Sequence, residues 1–167
     1  MRTELVQIRV LMLRLNRMTD YAIVVLGQMA HEAGRVRTAA ALADATGVPV
    51  PTVSKLLKQM AAVSLISAHR GAKGGYALDR PAAAVTVTEI IQALEGPIAL
   101  TACVDGAEEC CEVEHSCPMR GNWNRVNRAI RAALDGVTLA DMVDPEGMFP
   151  VRTPAPTLHP TTVGAAE

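Results

Sequence analysis

Apolar positions in the first half of the chain recur at helical spacing, punctuated by glycines and prolines. From Asn16 to Ala33 the run MTDYAIVVLGQMAHEA reads as a buried helix, with Asn16 or Thr19 as its cap and Gly34 as its stop. Thr38 can cap a second short helix, AAALADAT, ended by Gly47, because glycine readily takes the positive φ that follows a helix. After a break containing Pro49 and Pro51, Val53, Leu56, Leu57 and Met60 fall on one face of an amphipathic helix. Its other face shows Thr52, Ser54, Lys55, Lys58 and Gln59. The segments LIS and YAL are short strand candidates on either side of HRGAKGG, a basic, glycine-rich turn.

Thr86 and Glu89 have the spacing of a capping box ahead of EIIQALE, which Gly96 and Pro97 terminate. From Cys103 to Cys117 periodicity disappears and a polar loop is expected. A last helix runs from about Asn122 to Leu134, with Trp123, Val126, Ile130, Ala133 and Leu134 on one stripe and Arg125, Arg128 and Arg131 off it. The order helix, turn, helix, hairpin predicts a mainly α fold with a small β-hairpin wing: a winged helix-turn-helix followed by a long C-terminal helix. That divides the chain into a possible non-native or disordered extension (1–12), a winged head (13–96), a cysteine-bearing loop (97–120), a helix with a short C-terminal segment (121–147) and a Pro- and Thr-rich tail expected to be disordered (148–167). Met12 is an alternative start.

Composition supports helices. Half of the 167 residues are apolar but only 2% are aromatic, so the core must come from Ala, Val, Leu, Ile and Met. The net charge of −1 conceals an asymmetry: residues 1–80 hold 11 Lys/Arg against 5 Asp/Glu, and residues 81–167 hold 5 against 12. A basic half suggests a polyanion-binding surface. No apolar run is long enough to span a bilayer and no secretory cleavage site follows the first apolar stretch, so a cytoplasmic protein without a membrane partner is expected.

A helix-turn-helix places the start of its second helix in the major groove, where short polar side chains and flanking cations are needed. Pro51, Thr52, Ser54, Lys55 and Lys58 suit that position, and Arg70, Gly71 and Lys73 suit a wing tip that approaches DNA. Thr38 and Tyr76 complete the expected contact set. Double-stranded DNA is therefore the expected partner. Taken singly, a lysine-bearing helix face or a glycine-rich hairpin is commonly just solvated; their order and the basic half together favour DNA. No nucleophile–base arrangement and no phosphate-cradling glycine loop is present, so an enzyme is not expected.

Cys103, Cys110, Cys111 and Cys117 lie within one short segment, where thiolates could converge on iron–sulfur, zinc or cuprous ions. The spacing lacks the short knuckles usual in structural zinc sites. Asp105, Glu108, Glu109, Glu112 and Glu114 share the loop with no Lys or Arg; uncompensated carboxylates raise thiol pKa and argue against a free reactive nucleophile. Free or disulfide-forming thiols remain the plain alternative, and His115 reads as a solvated side chain.

The runs LRLNRMTDYA, RGAKGGY and CPMRGNW, together with the cysteine loop, resemble the Rrf-two family of bacterial winged-helix regulators over about Leu13 to Val143. Within it, the chain looks most like the regulators of Suf-system iron–sulfur assembly. The resemblance implies a homodimer with crossing C-terminal helices, in which Trp123, Val126, Ile130 and Leu134 would form the interface, and winged heads on a palindromic operator. It also implies an iron–sulfur cluster, 2Fe-2S in first place and 4Fe-4S as the alternative, held by three loop cysteines and a variable fourth ligand. Cys103 and Cys117 match the outer two; the family spacing selects Cys111 as the middle one and leaves Cys110 as an extra thiol. The histidine that serves Isc-type members is replaced by Arg120. Asp20 matches the aspartate used by nitric-oxide-sensing members, although an acid in a first helical turn also stabilises the helix dipole. The function implied is a cluster-dependent repressor of iron–sulfur assembly genes. A nitric-oxide or redox sensor, a metal-free or zinc thiol regulator, and a metal carrier are the alternatives.

Overall fold

The computed structural model describes residues 15–71, 73–107, 117, 119 and 121–144. The N-terminal extension, most of the acidic cysteine loop and the Pro- and Thr-rich tail lie outside the described residues. Six α-helices and a two-stranded antiparallel hairpin are found among those described: α1 (Arg17–His31), α2 (Ala39–Thr46), α3 (Val50–Ala62), β1 (Ser67–His69), β2 (Gly75–Ala77), α4 (Val87–Glu95), α5 (Asn122–Asp135) and α6 (Leu139–Val143). A single 3-10 turn, Ala82–Ala84, precedes α4.

Local chemistry explains most of the boundaries. Asn16 caps α1, its side chain accepting from the Met18 N–H. The alternative cap, Thr19, is fully buried inside the helix. α1 stops at His31, slightly before the predicted end, and Gly34 instead donates its N–H to the Leu78 carbonyl. Thr38 caps α2, and Gly47 closes it in the left-handed region at φ 72°. Pro51 sits in the first turn of α3, where the missing N–H costs nothing. The capping box at Thr86 and Glu89 is fully formed at the start of α4.

The hydrophobic core is built on α1. Val25, Leu26 and Met29 meet Leu42 and Ala43 of α2, Val53, Leu56, Leu57 and Met60 of α3, and Ile90 of α4. Leu65 and Ile66, expected to begin a strand, are buried ahead of β1, and the hairpin is shifted toward the wing tip. Fully burying one leucine or isoleucine contributes about 1.5–3 kcal/mol, so this cluster outweighs any single cap.

One element was not foreseen. After α5 the chain turns back, and α6 packs on α1 and on the 3-10 turn. Leu139 is fully buried in the same core, and its N–H donates to the Val85 carbonyl at 2.7 Å. The Val87 N–H donates to the Val137 carbonyl, and Thr86 and Thr138 form an isolated antiparallel bridge. A second capping box, Thr138 with Asp141, starts α6.

Candidate nucleic-acid interface and cysteine segment

α2 and α3 pack against each other and against α1, which fixes how α3 presents its polar face. Pro51, Lys55 and Lys58 are exposed, and Thr52 and Ser54 half-buried, while the opposite face carries the four buried apolar residues. Thr38 is exposed; its hydroxyl oxygen accepts from the Ala41 N–H at 3.2 Å, which leaves the hydroxyl hydrogen free to donate.

The wing is held by close backbone packing. Ser67 pairs with Ala77, Ala68 with Tyr76 and His69 with Gly75. Arg37 adds a bridge on the other side of β2, exchanging two 2.8 Å backbone hydrogen bonds with Tyr76. A Cβ on Gly75 would lie 2.4 Å from the Arg37 carbonyl oxygen, so this approach demands glycine. Arg70, Gly71 and Lys73 are exposed at the tip, whereas Tyr76 is half-buried and packs against the core. Among the described residues the side chains of Lys55, Lys58, Arg70 and Lys73 have no ion pair or hydrogen bond within the chain. By contrast, Arg35 and Arg37 are both engaged by Glu32. The hydrogen bond from Arg37 holds the Glu32 carboxyl below the usual carboxylate range.

The cysteine segment leaves the head at Gly96. Just before it, the Glu95 carboxylate accepts from the Asn16 N–H at 3.0 Å and from the Thr19 hydroxyl, tying the end of α4 to the first turn of α1. Asp20 stands exposed on that turn. Cys103 and Cys117 are free thiols, both half-buried, and the Cys103 Sγ lies 3.2 Å from the Thr101 hydroxyl oxygen. Unbridged thiols reachable from solvent are the donor type that a soft metal centre needs. Cys110, Cys111 and His115 lie outside the described residues. Among the described residues no three His, Cys, Asp or Glu side chains come together as a metal site.

Along the helix expected to form a dimer interface the apolar residues differ in how far they are covered. Trp123 and Val126 are 40% and 44% exposed. Ile130 and Leu134 instead line a groove of about 290 Å³ with Leu15, Ile91 and Ile98. The buried residue of α5 is Asn127, which the sequence reading passed over. Its signal was available: Trp123, Asn127, Ile130 and Leu134 follow one helical stripe, and a polar residue in such a stripe needs partners.

Comparison with known proteins agrees with this architecture. A family model, Rrf2, described as iron-dependent transcriptional regulator, matches residues 15–145. Among solved structures, the chain is similar to CymR (YrzC), the global cysteine regulator of B. subtilis, at 26% identity and a TM-score of 0.61, covering 79% of this chain and 97% of that one. It is similar to IscR of T. potens at 25% identity and a TM-score of 0.56, covering 78% of this chain and 86% of that one. CymR of Staphylococcus aureus matches at 25% identity and a TM-score of 0.54, over 77% of this chain and 97% of that one. No helix among the described residues is long and apolar enough to cross a membrane. With a winged head, exposed cations on α3 and on the wing, and a family match over most of its length, the chain belongs to the Rrf2 family and is a DNA-binding transcriptional regulator, not an enzyme.

Proposed function

We propose that the protein is a cytoplasmic homodimeric repressor of iron–sulfur assembly genes whose hold on a palindromic operator follows the state of an iron–sulfur cluster. The observation that carries the DNA half is the set of exposed cations that have no partner among the described residues: Lys55 and Lys58 on α3, Arg70 and Lys73 on the wing. Lys55, Lys58, Arg70 and Lys73 neutralise phosphates. Thr38 donates its hydroxyl hydrogen to another phosphate, Gly71 lets the wing backbone approach, and Thr52 and Ser54 meet base edges. Pro51 and Tyr76 shape the surface rather than read it. Neither Arg nor Asn stands at the start of α3, so groove shape and water contribute to specificity.

Cys103, Cys111 and Cys117 would hold the cluster, with Asp20 as a harder fourth ligand. When bound, the cluster supplies a centre that iron shortage, oxidants or nitric oxide can strip or alter. The family description as iron-dependent and the likeness to IscR support this assignment. A second reading, a metal-free thiol regulator, is favoured by the likeness to CymR.

Two measurements test the proposal. In an operator titration, Lys55→Ala and Arg70→Ala should each weaken binding, and the slope of log affinity against log salt should flatten by about 0.9 for each phosphate no longer neutralised. Unchanged affinity in both variants overturns the contact assignment. Protein purified without oxygen should carry matched iron and acid-labile sulfide, lost in Cys111→Ala and kept in Cys110→Ala. Colourless protein after reconstitution with iron and sulfide would replace the cluster reading with the thiol reading.

A further inference from the structure

α5 grips the cysteine segment through two side-chain amides. Asn127, only 4% exposed, uses both ends of its amide: Nδ2 donates to the Ile98 carbonyl at 2.9 Å, and Oδ1 accepts from the Leu100 N–H at 3.2 Å. One turn earlier on the same face, the Asn124 Oδ1 accepts from the Asp105 N–H at 2.8 Å. Cys103 lies between these anchored points, with its Sγ against Thr101. Apolar packing supports the same stretch, Val104 being buried and Ile98 and Leu100 half-buried.

An asparagine in a helical stripe that continues with Ile130 and Leu134 is a costly choice. Its amide must be matched, because a buried polar group left without a partner loses its hydration and gains nothing in return. Leucine there would fill the same space, but an apolar contact tolerates sliding. Amide hydrogen bonds do not: a shift of one residue in the segment would carry the Ile98 carbonyl and the Leu100 N–H out of reach of the Asn127 amide. The pair therefore sets the register of residues 98–105 along α5, and displacement of Cys103 must either break these bonds or carry the helix with it.

We propose that Asn124 and Asn127 are positioning residues that couple the Cys103 thiol to α5, so that a change at that thiol reaches the helix through their amides. This rests on reading Cys103 as part of the sensing site, but its test needs neither cluster nor operator. The probe is iodoacetamide acting on full-length apoprotein in which Cys103 is the sole cysteine (Cys110→Ser, Cys111→Ser, Cys117→Ser), with hydrogen exchange followed peptide by peptide.

Asn127→Leu should raise exchange over residues 98–105 about tenfold and speed carbamidomethylation of Cys103, while exchange over α3 stays within about twofold. With both asparagines intact, carbamidomethylated Cys103 should raise exchange in the first turns of α5. In Asn124→Ala/Asn127→Leu that increment should vanish. An equal increment with and without the asparagines, or none in either, overturns the coupling. Should Asn127→Leu not fold, Asn124→Ala, at a half-buried position, tests the same link: it should loosen residues 103–107, and unchanged exchange and alkylation there overturn the proposal. Operator titration of apo and cluster-loaded protein separately decides the cluster reading, so the two failures are distinct.

Discussion

Gly27 has a task that its helical surroundings conceal. In the interior of α1, alanine would normally stabilise by about 0.5–1 kcal/mol through backbone entropy. Here a Cβ would lie 2.7 Å from the Val143 Cγ1, because α6 docks on this spot. Overpacking typically costs about 1–3 kcal/mol, so Gly27→Ala should destabilise by about 1 kcal/mol net. In a Val143→Ala background the clash partner is gone, and Gly27→Ala should become stabilising. A double-mutant cycle by denaturant unfolding reads this sign reversal. Like signs in both backgrounds would mean that α6 does not press on Gly27. Nothing in the run VVLGQMA announces this contact, since the partner residue is far along the chain. Asn127 is similar: its place in the stripe was visible, but its partners are backbone groups that no sequence pattern marks.

At the scale of elements, the start of α4 offers a pH-dependent test. The Thr86 hydroxyl accepts from the Glu89 N–H at 3.2 Å, and Glu89 accepts from the Thr86 N–H at 2.9 Å. Arg80 donates to Glu89 at 2.8 Å. That hydrogen bond is the largest influence holding the Glu89 carboxyl below its ordinary value, and the Thr86 N–H adds to it. A carboxyl whose pKa is lowered by folding contributes stability at neutral pH and loses it as the pH falls through the lowered value. Glu89→Ala should therefore destabilise at neutral pH by about 0.5 kcal/mol, the Arg80 pair being largely screened by solvent, and the deficit should shrink as the medium is acidified through the carboxylate range. Thr86→Ala should cost about as much and keep a larger share of its deficit in acid. Unfolding curves over that range check both, and a pH-independent deficit for Glu89→Ala would remove the charged cap.

Caps of this kind were the most legible features of the sequence. Asn16, Thr38, Gly47, Thr86 and Gly96 all stand at their expected boundaries, because each acts through its own neighbours. The strands were displaced toward the tip because Leu65 and Ile66 are apolar for the core, not for the hairpin. α6 escaped notice because five residues carry too little periodicity, although Thr138 and Asp141 spell out its capping box. The exposed cations were readable from charge alone; how the loop cysteines are arranged depends on folding that spacing does not encode.

At the scale of the molecule, the winged head is assembled from both sides of α5. Leu139 lies in the core beside residues of α1 and α4, and backbone bonds join Val85 and Val87 to Leu139 and Val137. Leu139→Ala should therefore destabilise the head by about 2–5 kcal/mol and loosen exchange in α1 and α4, not merely fray the C-terminus. Protection of α1 and α4 that is untouched by this change would show α6 to be an appendage.

Because the chain enters the cysteine segment at Gly96 and rejoins the head at Val137, that segment and α5 form a parenthesis within the DNA-binding portion, not a suffix to it. A fragment cut after Glu95 would lose the leucine that closes its own core. A usable minimal head must keep residues 15–95 and 137–144 and bridge them, and since α4 advances only about 12 Å between Val87 and Glu95, a flexible link of about five residues would span that gap. The same two junctions mark where another segment can be grafted without redrawing the part that meets DNA.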